Sequence, residues 1–318
     1  MSDKITFLIN KSEITAGTRG ASLGPEALLS VGRNQPDSVF SKYPVLKAKD
    51  YNHLLDKPNE HKYAKRIKGL LKVFENIEKK INFVDPSRFV IILAGDHGSA
   101  AATISAIKNK NPEKRIGVVW IDAHADIHSP YTTPSGNMHG MPLAIALSED
   151  NLACKKNKVP QKTIDLWDNL KNFGINSPKI KPEDLVFVGV RDTEKQEDKL
   201  IKKLGITKFS VNDVNLKGEL KIARLIEKKL SPCDIIYISF DVDSMDPNYT
   251  SHGTGTPVDK GLLPDDVENL INILLKNPKV ICLEMVEINP CLDEKTNKMA
   301  EISYQLLESF VHTIEKRE

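Results

Sequence analysis

Residues 116–126 read Ile-Gly-Val-Val-Trp-Ile-Asp-Ala-His-Ala-Asp, an apolar run that turns abruptly into alternating carboxylate and imidazole. Ile116 to Ile121 carries no charged residue and is rich in β-branched side chains, as expected of a strand covered on both faces of a parallel sheet. Phe89 to Ala94, Leu185 to Val190, Ile235 to Phe240 and Val280 to Val286 have the same character. Helix-period stretches lie between and around them: Lys62 to Ile81, Ser99 to Lys108, Glu194 to Leu204, Leu220 to Leu230 and Pro264 to Leu275, with Lys298 to Lys316 closing the chain. Pro264 suits a first helical turn, and Asp265 and Asp266 follow where the helix dipole favours anions. This alternation predicts the α/β class, a single doubly wound domain over residues 1–318 with a mainly parallel sheet flanked by helices. Ser148 to Pro182 breaks the rhythm. It is polar and lysine-rich, with a helix expected around Ile164 to Phe173, and reads as an insertion that is a lid, a subunit contact or neither.

Composition excludes several function classes. Hydrophobic content of 40%, charged content of 28% and a net charge of +2 describe an ordinary globular protein with no overall pull toward polyanions. No basic stripe interleaved with aromatics supports a nucleic-acid partner. The start, MSDKITFLIN, lacks a secretory signal, and no apolar run is long enough to span a bilayer, so no membrane partner is expected. Cys154, Cys233, Cys282 and Cys291 show no CxxC pairing and read as reduced thiols of a cytoplasmic protein. His53, His61 and His312 lie in polar stretches and read as surface residues.

The chemistry is expected at the carboxyl ends of the strands, where ligands bind in such folds. Gly95-Asp96-His97-Gly98 follows the first run, Asp122-Ala123-His124-Ala125-Asp126 the second, and Asp241-Val242-Asp243 the fourth. If these segments are extended, side chains two residues apart share a face, so Asp122, His124 and Asp126 converge, as do Asp241 and Asp243. So many carboxylates on adjacent strand ends repel one another unless a cation sits among them. Four Asp and two His exceed what one ion takes, and two carboxylates can bridge a pair. That donor set suits two Mn²⁺ ions, with Co²⁺ or Fe²⁺ on similar terms, better than a structural zinc site. A lone Asp-x-Asp after a strand is most often a turn or a cap. Asp96, between glycines, and Asp246-Pro247 are read that way.

Taken together, the motifs resemble the ureohydrolases, arginases most closely. The resemblance runs from Gly20-Ala21-Ser22-Leu23-Gly24-Pro25 through Gly-Asp-His, DAHAD, Ser135-Gly136-Asn137-Met138-His139-Gly140, SFDVD and Thr254-Gly255-Thr256-Pro257 to Glu287-Ile288-Asn289-Pro290. It implies a binuclear manganese hydrolase that converts L-arginine and water to L-ornithine and urea by attack of a metal-bridging hydroxide on the guanidinium carbon. By position, His97 and Asp126 ligate one ion, His124 and Asp243 the other, and Asp122 and Asp241 bridge. Glu287 orients the guanidinium, His139 shuttles protons, and Thr256 walls the pocket and offers a hydrogen-bond donor. Ser135 and Asn137 are implied contacts for the amino-acid end of the substrate.

The sequence departs from the familiar arginase pattern in two places. His128 stands where Asn usually follows DAHxD, and Arg191-Asp192-Thr193-Glu194 ends in Glu rather than Asp. His128 still offers a donor to the α-carboxylate, and Glu194 an anion to the α-ammonium. A divergent bacterial branch of the family is similar at both positions and also carries an insertion near Ser148 to Pro182. A homo-oligomer is compatible with the resemblance. Other ureohydrolases (agmatinase, guanidinobutyrase, formiminoglutamase) and a non-catalytic metal-binding homologue are the alternatives. An agmatinase has no use for the Ser135 to His139 cluster, and a non-catalytic homologue would have lost a ligand that is present here.

Overall fold

The structure is a computed structural model and describes residues 4–176 and 178–317. In chain order the strands are β1 (Ile5–Asn10), β2 (Val45–Lys47), β3 (Phe89–Ala94), β4 (Ile116–Ile121), β5 (Leu185–Val188), β6 (Thr207–Phe209), β7 (Ile235–Asp241) and β8 (Val280–Val286). The helices are α1 (Gly24–Arg33), α2 (Val39–Lys42), α3 (Ile67–Phe83), α4 (Ala100–Lys110), α5 (Pro142–Leu147), α6 (Gln161–Lys171), α7 (Lys195–Leu204), α8 (Val211–Lys217), α9 (Glu219–Lys229), α10 (Pro264–Leu275) and α11 (Lys298–Glu315). The eight strands form one sheet in the order β2-β1-β3-β8-β7-β4-β5-β6, and every neighbouring pair is parallel.

Successive strand residues feed opposite faces, which is why the strands read as unbroken apolar runs. Val119 and Ile121 of β4 belong to the core cluster that takes in α1, α9, α10 and α11, while Val118 and Trp120 belong to the one that takes in α3, α4, α5 and α6. The five runs expected as strands are all strands, but β1, β2 and β6 add to them. β2 and β6 are three-residue edge strands, half exposed and each containing a lysine, so they carry no apolar run to read. β5 stops at Val188 rather than Val190 because Gly189 takes φ +84°, which breaks the extended backbone. α3 starts at Ile67 rather than Lys62, after Arg66 in the left-handed region. His61 is not a surface residue: it is buried, with Nδ1 2.9 Å from the Thr163 hydroxyl.

The 148–182 segment, apart from Ser177 outside the described residues, is folded against the body. Trp167 and Leu170 of α6 are buried in the same cluster as α3 and α5, and Phe173 meets Phe74 of α3 edge to face at 5.3 Å. Its early part also grips the 129–135 loop. Asn157 Nδ2 donates to the carbonyls of Pro130 (3.0 Å) and Thr133 (2.8 Å), and the Ser129 hydroxyl donates to the Asp150 carbonyl (2.6 Å).

Candidate metal centre

β3, β8, β7 and β4 are consecutive in the sheet, and each delivers site residues from its carboxyl end. His97 follows β3, Asp122, His124 and Asp126 follow β4, Asp241 ends β7 with Asp243 beyond it, and Glu287 follows β8. Convergence does not come from strand alternation, as the spacing suggested. β4 ends at Ile121, the chain bends through Asp122 to His124, and Asp126 takes φ +48°. Likewise Val242–Ser244 is a 3-10 turn, in which the Asp241 carboxylate accepts from the Asp243 N–H at 2.9 Å. Glu287 too is left-handed, φ +66°. Such backbone costs about 1–3 kcal/mol per residue and clusters at functional sites. It brings side chains together where an extended chain would send successive ones to alternating faces of the sheet.

Two groups of donors result. His97, Asp122 and Asp241 have ligand atoms within 4.8 Å of one another, and so do Asp122, His124 and Asp243, with Asp122 common to both. His97 Nδ1 lies 3.1 Å from Asp122 Oδ2, 3.1 Å from Asp241 Oδ2 and 3.2 Å from Asp126 Oδ2. His124 Nδ1 lies 3.1 Å from Asp243 Oδ2 and 3.5 Å from Asp122 Oδ1. Burial pulls the His97 imidazole down, but the Asp122, Asp126 and Asp241 carboxylates around it outweigh that and lift it well above its ordinary value. Burial and the like charge of Asp122 push Asp126 up to about 6. Burial and the charges of Asp243 and Asp122 also lift Asp241 well above the carboxylate range.

These residues fit a pair of divalent cations. His97 Nδ1 is buried with three carboxylate oxygens around it and no hydrogen bond of good geometry. A proton there serves one carboxylate at a time, whereas a cation among them serves all three. The surroundings hold the donors in place. Trp120 donates from Nε1 to Asp122 Oδ2 (2.9 Å), and its ring stacks on His97 at 4.0 Å. The Thr256 hydroxyl donates to Asp243 Oδ2 at 3.1 Å.

Above the donors opens a cavity lined by His97, His124, Asp126, His128, Pro134, Ser135, His139, Gly140, Asp192, Thr193, Glu194, Glu197, Asp241, Asp243, Thr256 and Glu287. Glu287 Oε1 accepts from the His97 N–H (2.9 Å) and lies 3.2 Å from His139 Nδ1. Burial works against it, yet the His139 imidazole and the His97 N–H hold its carboxyl below the usual range. Burial pulls His128 down to about 4, so it is neutral at pH 7. Asn137 is not among the lining residues; its Oδ1 accepts from Lys65 Nζ at 2.9 Å. Gly136 turns the chain there with φ +78°, where a Cβ would lie 2.0 Å from the Lys62 carbonyl.

The arginase family model matches residues 6–312. The chain belongs to the arginase family. An arginase of Bacillus subtilis (strain 168) is 29% identical over 98% of this chain and 98% of its own, and human arginase-1 is 34% identical over 77% and 73%. Among solved structures, Entamoeba histolytica arginase in complex with L-ornithine superposes with a TM-score of 0.79 at 27% identity, covering 99% of both chains. A formimidoylglutamase from Bacillus subtilis shares the fold, with a TM-score of 0.74 at 17% identity over 99% of this chain and 88% of its own. Family members are binuclear metal-dependent hydrolases, which agrees with the two donor groups. Reading the sequence missed Glu197. It lines the cavity from the first turn of α7, with Oε2 3.5 Å from His128 Nε2. Its only sequence signal is an acid three residues after Glu194, which also marks an ordinary helix start.

Proposed function

We propose that the chain hydrolyses L-arginine to L-ornithine and urea, using two Mn²⁺ ions, with Co²⁺ as an alternative occupant. The observation that carries the reading is Glu287, an anion in the same cavity as both donor groups and beside His139. His97 and Asp126 would hold one ion, His124 and Asp243 the other, with Asp122 and Asp241 between them. When bound, such a pair acidifies a shared water and supplies the nucleophile near neutral pH. Glu287 receives the guanidinium by charge-assisted hydrogen bonds and presents its carbon toward the donor groups. His139, whose imidazole is raised by Glu287 against the pull of burial, carries the proton that the leaving amine needs.

The amino-acid end of the substrate meets two kinds of wall. Neutral His128 and Ser135 offer donors to a carboxylate, with Asn137 behind Ser135, whose hydroxyl accepts the Asn137 N–H at 3.1 Å. Glu194, Glu197 and Asp192 offer anions to an ammonium. This pairing favours arginine over agmatine, which lacks the carboxylate, and over formiminoglutamate, whose far end is acidic. The four thiols, all unpaired, fit a cytoplasmic setting. Among the described residues no helix is long and apolar enough to cross a membrane. Urea release on arginine and on agmatine, after loading with Mn²⁺ or Co²⁺, tests the assignment. Arginine should be strongly preferred, and equal or faster agmatine turnover would overturn it.

A further inference from the structure

Beneath the donor groups runs a buried polar chain. His97 Nε2 lies 2.7 Å from the Ser239 hydroxyl, which lies 3.2 Å from the Tyr237 hydroxyl, and Tyr237 donates to Glu284 Oε2 at 2.8 Å. Ser239, Tyr237 and Glu284 are fully buried, in the middle of β7 and β8. Ser239 and Glu284 are register partners, and the Thr103 side chain of α4 lies beside the Glu284 carboxyl. An apolar residue would sit in this strand interior without the desolvation cost of a carboxyl group.

Proton counting gives the carboxyl a purpose. An ion facing His97 Nδ1 needs the ring proton on Nε2, where it is donated to Ser239. The single Ser239 proton must then go onward to Tyr237, and the single Tyr237 proton to an acceptor that does not donate back. Without that acceptor the Tyr237 proton can turn to Ser239 and the Ser239 proton to Nε2. This moves the ring proton to Nδ1, where the ion belongs. We propose that Tyr237 and Glu284 are positioning residues that fix the tautomer of His97 and so set the affinity of its ion. This rests on the two-ion reading above.

The test titrates metal-free protein with Co²⁺ against a competing chelator and follows visible absorption. The parent should take two ions per chain; fewer would overturn the proposal together with the reading beneath it. Tyr237→Phe, which removes only a hydroxyl, should weaken one of the two binding steps about 10- to 100-fold and leave the other in place. Glu284→Leu should do the same, the double variant should lose no more than either single one, and Glu284→Gln, which keeps an acceptor oxygen but adds an N–H donor, should lose less than Glu284→Leu. Leu283→Ala lies on the opposite face of β8 and serves as a destabilised control that should leave both steps unmoved. The proposal is overturned if Tyr237→Phe binds both ions normally, if both steps weaken alike, if Glu284→Gln falls as far as Glu284→Leu, or if Leu283→Ala weakens one step in the same way.

Discussion

Glu287→Gln separates charge from shape at the point where a guanidinium would dock. The Glu287 carboxyl is 3% exposed, accepts the His97 N–H and faces His139. A glutamine oxygen can keep the bond to the His97 N–H, so the strand end and the metal donors should stay in place. What goes is the anion. Breaking a buried, hydrogen-bonded charge pair costs about 2–5 kcal/mol. At about 1.36 kcal/mol per tenfold, kcat/KM for arginine should fall roughly 30- to 5,000-fold. Metal analysis of the variant should still give two ions per chain. The same change removes the main lift on the His139 imidazole, so a pH-rate limb belonging to that residue should move to lower pH. A loss below about tenfold, with metal content intact, would refute the guanidinium role of Glu287.

Glu197 tests the electrostatics of the acidic wall. Burial first, and then the Asp126 charge, push its carboxyl from 4.5 to about 7. Between those values the folded state keeps a proton that the unfolded state has released, so this group lowers stability as pH rises through the window. In metal-free protein, Glu197→Gln should therefore gain on the parent from pH 4.5 to 7, by at most about 3 kcal/mol, in urea unfolding; a pH-independent difference would refute it. Trp167→Ala should cost about 3–5 kcal/mol in the same assay, because Trp167 is fully buried in the core under the 148–182 segment. A cost near zero would mean that this segment rides loosely on the body. Thr256→Val removes the hydroxyl that braces Asp243 and should weaken the ion held with His124 about 10- to 100-fold by metal titration. Unchanged binding would make Thr256 only a wall.

The central strands were legible because each is buried on both faces and must be apolar throughout, as β3, β4, β7 and β8 are. Edge strands β2 and β6 escaped for the opposite reason, since an edge needs no apolar run. The candidate donors were legible as a set because clustered carboxylates and imidazoles are too costly at strand ends to serve packing, and His97, Asp122, His124, Asp241 and Asp243 fall in the two donor groups while Asp126 stands beside His97. Their route to one point was not. Extended alternation was the natural reading of Asp122, His124 and Asp126, yet the chain bends and Asp126 turns left-handed.

By itself, then, the sequence determined which residue types meet at the sheet's carboxyl edge, because burial and charge leave local traces in composition and spacing. Only the tertiary structure decided that β3, β8, β7 and β4 stand side by side, so that residues 97 and 287, 190 positions apart, share a hydrogen bond. Strand order is set by crossovers and packing between distant segments, which no short window of sequence contains. The same holds for Glu197, which becomes part of the site through where α7 lands, and for Tyr237 and Glu284, which look like strand residues until β7 and β8 pair beneath His97.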